Sequence, residues 1–62
     1  MEFDVFIIDE KGNVIIEQVE AKNQFEIFNK CAKAYNKGYY AIKVWKDGKE
    51  FDKTFLVDGI WI

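Results

Sequence analysis

One segment of this chain, residues 23–38, has the periodicity of an α-helix, and it separates two halves that both resemble β-hairpins. Asn23 is a residue type that caps helices, and Glu26 stands three residues later, as in a capping box. Gly38 readily adopts the left-handed conformation in which many helices end. The spacing therefore predicts one helix, and the remaining residues must supply the surface against which it packs.

The apolar side of this helix is formed by Phe25, Phe28 and Tyr35, with Cys31 in the same stripe. Such a stripe can line a ligand site, but side chains of these types are most often buried, so we predict that it faces a sheet. Lysines gather on and near the other side of the helix. They form a candidate basic surface of Lys22, Lys30, Lys33 and Lys37.

The residues before the helix predict a β-hairpin. Residues 2–9 are rich in β-branched and aromatic types, and Gly12 can take a positive φ in a bulged loop before residues 13–21 return. Pairing Asp9 with Asn13 sets the register. Because side chains alternate between faces, this register makes the hairpin apolar on both faces. One face can meet the helix, and the other requires a different explanation.

The residues after the helix predict a second hairpin. Asp47-Gly48 suits a two-residue type I′ turn, so residues 39–46 should pair with those that follow. The resulting register places Lys43 opposite Asp52, which is a favourable cross-strand pair. It also assigns one apolar set to the helix side of the sheet: Tyr40, Ile42, Val44, Phe51 and Phe55.

The end of the chain allows two interpretations. Asp58-Gly59 can be a bulge within one long strand, or a second turn followed by three returning residues. We expect the bulge, because so short a return contributes little stability. The final residues, 60–62, are apolar and are expected to be docked rather than frayed.

Together these elements predict a two-layer α+β fold, β-β-α-β-β, as a single domain over residues 1–62. The first and last strands are the most continuously apolar, which favours central positions and a four-stranded mixed sheet of order 2-1-4-3. In length and order of elements the chain resembles the small β-grasp immunoglobulin-binding domains of streptococcal surface proteins. The resemblance implies a β-grasp-like topology and brings no binding residues with it.

The composition excludes most enzyme chemistry. The 62 residues include one Cys and no His, Arg, Ser or Pro, so the usual nucleophile–base pairs and metal-ligand clusters are missing. No glycine-rich phosphate loop is present. Cys31 lies in the helical stripe, where a small buried residue is expected. We predict that the protein is not an enzyme and uses no metal or cofactor.

The cysteine count and hydropathy also suggest a location. A lone thiol suits a reducing compartment, and no signal peptide or membrane-spanning apolar run is visible, so a cytoplasmic protein without a membrane partner is expected. Nine lysines with no arginine hint at an AT-rich coding source such as a bacterium, an archaeon or a phage.

The sheet face away from the helix is the strongest functional signal. By the registers above it carries an apolar patch with a charged rim, as protein interfaces do. It predicts a small binding module, an adaptor or inhibitor, that contacts a protein partner or a second copy of itself. Alternatively, one hairpin twists and buries this set. The predicted interaction surface comprises Phe6, Ile8, Val14, Ile16, Tyr39, Trp45 and Leu56.

Single-stranded nucleic acid is the alternative partner, with bases stacked on the sheet aromatics or contacting the lysines of the helix. Such binding requires positive charge around the aromatic residues. The predicted register places Asp4, Glu50 and Asp52 on that face, so we expect nucleic acid to be the weaker candidate. Charge is also divided along the chain, with a balance of −5 over residues 1–20 and +5 over residues 21–49.

Overall fold

The computed structural model describes all 62 residues and shows one helix packed on a five-stranded antiparallel sheet. The strand order is 2-1-3-4-5. The small α+β class with one helix is thus confirmed. The elements along the chain are β1 (Glu2–Asp9), β2 (Val14–Glu20), α1 (Gln24–Ala34), β3 (Tyr39–Lys46), β4 (Lys49–Val57) and β5 (Ile60–Trp61).

The predicted strand order is wrong, because β3 and not β4 lies beside β1, and the two strands run antiparallel. The four-stranded 2-1-4-3 sheet and the β-grasp-like topology are therefore both wrong. Burial gives the physical reason. Ala41, Ile42 and Val44 of β3 are completely buried, whereas β4 buries only Thr54. Of these two strands, the more deeply buried one takes the position beside β1, although Lys43 interrupts its apolar run.

The first hairpin has the predicted register throughout β1 and β2. Gly12 takes a φ of 87° in the loop, as its position predicts. The Asp9 carboxylate accepts hydrogen bonds from the backbone N–H groups of Lys11 (2.9 Å) and Asn13 (2.8 Å). Desolvation opposes its ionisation, but the bonds from Asn13 and Lys11 outweigh that effect and hold the pKa of Asp9 below its ordinary value.

The second hairpin turns as predicted, but its register shifts by one residue. Asp47 and Gly48 have φ values of 53° and 76°, consistent with a type I′ turn, and Trp45 pairs with Glu50. A bulge follows at once, so that Val44 pairs with Asp52. A shift of one residue moves each following side chain of β4 to the opposite face.

This shift changes which β4 side chains face the helix. Lys43 is opposite Lys53, so the predicted Lys43–Asp52 pair is wrong. Asp52, Thr54 and Leu56 lie on the helix side, and Phe55 lies on the other side, against prediction.

A second bulge lies between β1 and β3. Ile8 pairs with Ala41 and Asp9 pairs with Tyr39, so Tyr40 is the extra residue. The bulge moves Tyr39 to the helix side, against prediction, and there its ring meets that of Tyr35 edge-on at 5.0 Å. Tyr40 was predicted for the helix side, but it is exposed and lies 5.6 Å from the Phe55 ring.

Three further residues were predicted for the helix side, namely Ile42, Val44 and Phe51. Ile42 and Val44 are buried there as expected. Phe51 is the extra residue of the second hairpin's bulge, and it is half exposed while its ring lies 5.9 Å from that of Phe3.

The helix begins as predicted and ends early. The Asn23 side chain accepts a hydrogen bond from the Glu26 N–H at 3.1 Å. The last helical residue is Ala34, so the predicted end at Gly38 is wrong. Gly38 instead occupies the connection to β3 with a φ of 80°, and its carbonyl accepts a hydrogen bond from the Glu10 N–H at 3.1 Å. This bond ties the connection to the first hairpin's loop.

The buried side of α1 is formed by Ile27 and Cys31, one helical turn apart. Phe28 and Tyr35 are partly buried against the core, but Phe25 is 62% exposed, so its predicted core position is wrong. Burial of Cys31 is confirmed. The core cluster comprises Phe3, Val5, Ile7, Ala21, Ile27, Cys31, Ile42 and Val44.

The end of the chain makes a second tight turn, so the expected single long strand is wrong. Asp58 and Gly59 have φ values of 51° and 80°, and β5 pairs back on β4. Phe55 and Ile62 exchange two backbone hydrogen bonds of 3.2 and 2.9 Å. Trp61 packs against the core, which confirms docking for that residue only.

Candidate interaction face

The sheet side away from α1, called the outer face here, carries one apolar row that crosses β2, β1, β3 and β4 and continues to Ile62, just after β5. The pairings place Ile8 beside Ala41 and Ala41 beside Phe55. Val14 extends this row on β2, and Ile62 extends it beyond β5 through its backbone bonds with Phe55. Val57 and Ile60 pair next to it on the same face. No layer of the structure covers this row.

The neighbouring rows combine aromatic and charged residues. Ile16, Phe6, Lys43 and Lys53 form the second row across four strands. The third contains Gln18, Asp4, Trp45 and Glu50 in the same strand order. The Phe6 and Trp45 rings lie 5.5 Å apart, in a tilted arrangement typical of favourable aromatic pairs.

Exposure along the outer face is greatest toward its edges. Ile16 is 62% exposed, and Val14 and Tyr40 are each about half exposed, whereas Phe6 and Trp45 are partly covered by each other and their neighbours. Ala41 is completely buried because it is the small residue between Ile8 and Phe55. The result is a continuous apolar surface and not a set of isolated side chains.

The charges on this face balance. The Glu50 carboxylate lies 3.9 Å from the Lys43 ammonium and 3.7 Å from that of Lys53. Asp4 adds a second acid beside Trp45, giving two acids and two lysines. These pairs are partly exposed, so each contributes little to stability. They fix the pattern of charge on this face.

Five of the seven residues predicted for the interaction surface lie on the outer face: Phe6, Ile8, Val14, Ile16 and Trp45. Tyr39 and Leu56 lie on the helix side, so their placement was wrong, and the two bulges are the cause. The prediction missed Tyr40 and Phe55. The doublets Tyr39-Tyr40 and Phe55-Leu56 signal one side chain on each face, but they do not show which residue faces outward.

The basic surface predicted on and near the helix is exposed. None of Lys22, Lys30, Lys33 and Lys37 forms an ion pair. No other charged or aromatic cluster joins them into a site.

A second candidate feature lies between the helix and β2. Residues of β1 and β3 form the sheet part of the core under α1, but β2 stays exposed along most of its length. A groove of about 190 Å³ remains between the two elements, and the Tyr35 hydroxyl donates a hydrogen bond of 3.3 Å across it to Glu17 Oε1. This α1–β2 groove is lined by Glu17, Val19, Ile27, Lys30, Cys31, Ala34 and Tyr35.

The thiol of Cys31 lies at this groove but is poorly activated. Burial, and to a lesser degree the charge on Glu17, raise the pKa of Cys31. A raised pKa keeps the thiol neutral at pH 7 and reserves the nucleophilic thiolate for more alkaline solution. The groove therefore offers apolar surface and not a reactive sulfur.

We expect iodoacetamide to alkylate Cys31 at pH 7.5 at least tenfold more slowly than it alkylates the same chain unfolded in urea. The rate in the folded protein should keep rising at a pH at which the unfolded thiol has already ionised. Mass spectrometry of timed samples measures both rates. Equal rates for the folded and unfolded chains would show that the thiol is not shielded.

No family model, no curated protein and no solved structure matches the chain. The single helix has 11 residues and is neither long nor apolar enough to cross a membrane. No group of three or more Cys, Asp or Glu side chains is placed to hold a metal ion.

Proposed function

We propose that this protein is a small non-enzymatic binding module, an adaptor or inhibitor, that contacts other protein through the outer face. One observation carries the proposal, namely the uncovered apolar row that crosses β2, β1, β3 and β4 and continues to Ile62. Rings of Phe6, Tyr40, Trp45 and Phe55 stand beside or within it. Aromatic residues of this kind contribute most of the binding energy in many interfaces.

The occupant we propose for the outer face is a second copy of the chain. Two acids and two lysines lie on the same face, so a copy related by a two-fold axis can place Asp4 or Glu50 near Lys43 or Lys53. A strongly charged partner would gain nothing from so balanced a surface. Self-association also removes apolar surface from water without requiring another protein.

Light scattering after size exclusion, across a concentration series, tests this proposal. The wild type should approach about twice the single-chain mass of 7.3 kDa. The double variant Phe6→Lys, Trp45→Lys should stay monomeric with an unchanged circular dichroism spectrum, because two buried charges would oppose the contact.

Two further variants keep the result interpretable. Ile16→Lys alters a largely exposed side chain of the outer face, so it should weaken the dimer at least tenfold without affecting folding. Phe25→Lys makes the same kind of change on the exposed side of α1 and should leave the dimer intact. A monomeric wild type, or equal masses for Ile16→Lys and the wild type, would contradict the proposed dimer.

Single-stranded nucleic acid is the second candidate, supported by the register shift in β4. Asp52 lies on the helix side, and Lys53 takes a place on the outer face with its ammonium 6.0 Å from the Phe55 ring centroid. Lysines beside aromatic rings suit a stacked, unpaired strand. Fluorescence anisotropy with labelled oligo-dT and oligo-rU at low salt tests whether the protein binds single-stranded nucleic acid. Binding that weakens with salt and is lost in Lys53→Glu would favour nucleic acid over protein.

A further inference from the structure

The strand β2 is a long free edge of the sheet. The Asp9 N–H donates to the Asn13 carbonyl, and the Ala21 N–H donates to the Met1 carbonyl. In an antiparallel pair, residues whose backbone groups hydrogen-bond to the partner strand alternate with residues whose groups do not. The odd-numbered residues of β2 are therefore the ones that hydrogen-bond to β1. The backbone N–H and C=O groups that point away from the sheet belong to Val14, Ile16, Gln18 and Glu20.

Most of the usual protections of a free edge are absent here. The β2 strand has seven residues, contains no proline and pairs with β1 without a bulge. The opposite end of the sheet differs, because β5 covers the last residues of β4. Free edges of this length are templates for another strand, and the charges of Glu17 and Glu20 help to select among candidates.

The α1–β2 groove lies directly beside this edge. Val19 and Glu17 form its sheet wall, and the helix wall consists of Ile27, Lys30, Cys31, Ala34 and, just past the helix end, Tyr35. Its volume of about 190 Å³ is enough for one branched aliphatic side chain. Its lining is mainly apolar, and the bond from Tyr35 holds the Glu17 carboxylate at the groove. An edge strand beside a groove combines backbone recognition with a side-chain pocket.

We propose that β2 accepts an extended segment of a partner protein as a sixth, antiparallel strand. The segment places one aliphatic side chain in the α1–β2 groove and a lysine or arginine opposite Glu17. This site is separate from the outer face, and it does not depend on the function proposed for that face.

Charge identifies the occupant as a basic segment of a different protein and not as the β2 strand of a second copy. Residues 1–20 have a charge balance of −5, so pairing two β2 strands brings two acidic hairpins together. A two-fold axis at Glu17 would oppose the two carboxylates directly, which destabilises a strand pair. An axis at Ile16 would set Ile15 against Glu17 of the other copy. A basic strand avoids both conflicts.

Alternation of side chains specifies the sequence of a complementary peptide. Positions opposite Val19 and Glu17 point to the helix side, and positions opposite Gln18 and Ile16 point to the outer face. The complementary peptide is Lys-Leu-Thr-Lys-Val-Ile-Thr. It runs antiparallel to β2, with its first residue opposite Glu20 and its last opposite Val14, and its leucine points into the groove. The matched control peptide replaces both lysines with glutamate.

The experiment is a titration of the isotopically labelled protein with each capped peptide, followed by NMR. The lysine peptide should bind at least tenfold more tightly than the glutamate peptide. Its binding should slow hydrogen exchange at the Ile16 and Gln18 amides, because these N–H groups gain a strand partner. Glu17→Lys should reverse the preference between the two peptides.

A groove variant tests the pocket separately from the edge. Ala34→Phe places a ring in the groove and should lower the affinity for the lysine peptide at least tenfold. Asn29→Phe places the same ring at an exposed helix position that does not line the groove, and it should leave affinity unchanged. The variant Phe6→Lys, Trp45→Lys changes only the outer face and should also bind the peptide normally.

Several results would overturn the proposal. Equal affinity for the two peptides, no binding at millimolar peptide, or unchanged affinity in Ala34→Phe would each remove it. Protection of Ile16 and Gln18 that rises with protein concentration, without peptide, would instead identify a second copy as the occupant. Loss of peptide binding in Phe6→Lys, Trp45→Lys, with exchange at β2 unchanged, would move the site to the outer face.

Discussion

Ile27→Ala should lower the free energy of unfolding by about 2–5 kcal/mol, the usual cost of emptying a fully buried aliphatic position. Ile27 is 1% exposed and belongs to the core cluster beneath the helix. A chain of this length has a total stability of roughly 3–9 kcal/mol. The substitution therefore removes a large share of the stability of the fold.

Urea denaturation followed by circular dichroism measures this change. Phe25→Ala is the matched control, because it shortens a larger side chain of the same helix that is mainly exposed. Its effect should stay within about 0.5 kcal/mol, as is usual at the surface. A larger loss for Phe25→Ala than for Ile27→Ala would show that the helix packs on the sheet through its other side.

Removing residues 58–62 should cost about 3–5 kcal/mol, the range found when a large aromatic side chain is lost from a core. Trp61 packs against the core cluster, and β5 supplies the pairing partner for the end of β4. The hydroxyl of the buried Thr54 donates to the Ile62 carbonyl at 2.7 Å, and truncation leaves it without this acceptor.

Thermal and urea unfolding of the chain that ends at Val57 measure this loss. Ile62→Ala is its control, since it keeps the carbonyl and both backbone bonds and removes only a side chain that is 71% exposed. We expect the control to lie within about 0.5 kcal/mol of the wild type. A truncated chain as stable as the wild type would show that β5 makes no contribution to the fold.

The first hairpin could be predicted completely from sequence because two independent signals agree on it. The loop that ends in Gly12 sets which residues face each other, and apolar alternation is consistent with the same register. The second hairpin had an equally clear turn at Asp47-Gly48. There the turn fixed only the first two pairs, because the bulge at Phe51 follows immediately.

Neither bulge has a local sequence signal, since no glycine marks Tyr40 or Phe51. Both arise from tertiary packing, which favours burial of Ile42, Val44 and Thr54 on one side of the sheet. The same limit applies to the helix, where several apolar residues compete for the buried side. Periodicity alone could not choose the side of Ile27 over that of Phe25.

The candidate outer face could be predicted in its half formed by β1 and β2, where the register was correct. The prediction of its other half was wrong for Tyr39 and Leu56, since both lie beyond a bulge. The α1–β2 groove could not be predicted at all. It depends on the angle at which the helix crosses the sheet, and no residue in the chain encodes that angle locally.

The two tight turns that join β3, β4 and β5 have a consequence for the order of folding. All partners within this three-stranded meander lie close in sequence, whereas Asp4 of β1 pairs with Trp45 of β3 across most of the chain. Closing a long loop costs more entropy than closing a short one, so local pairs form sooner. We expect the meander to form first and the docking of the first hairpin, with the helix, to limit the folding rate.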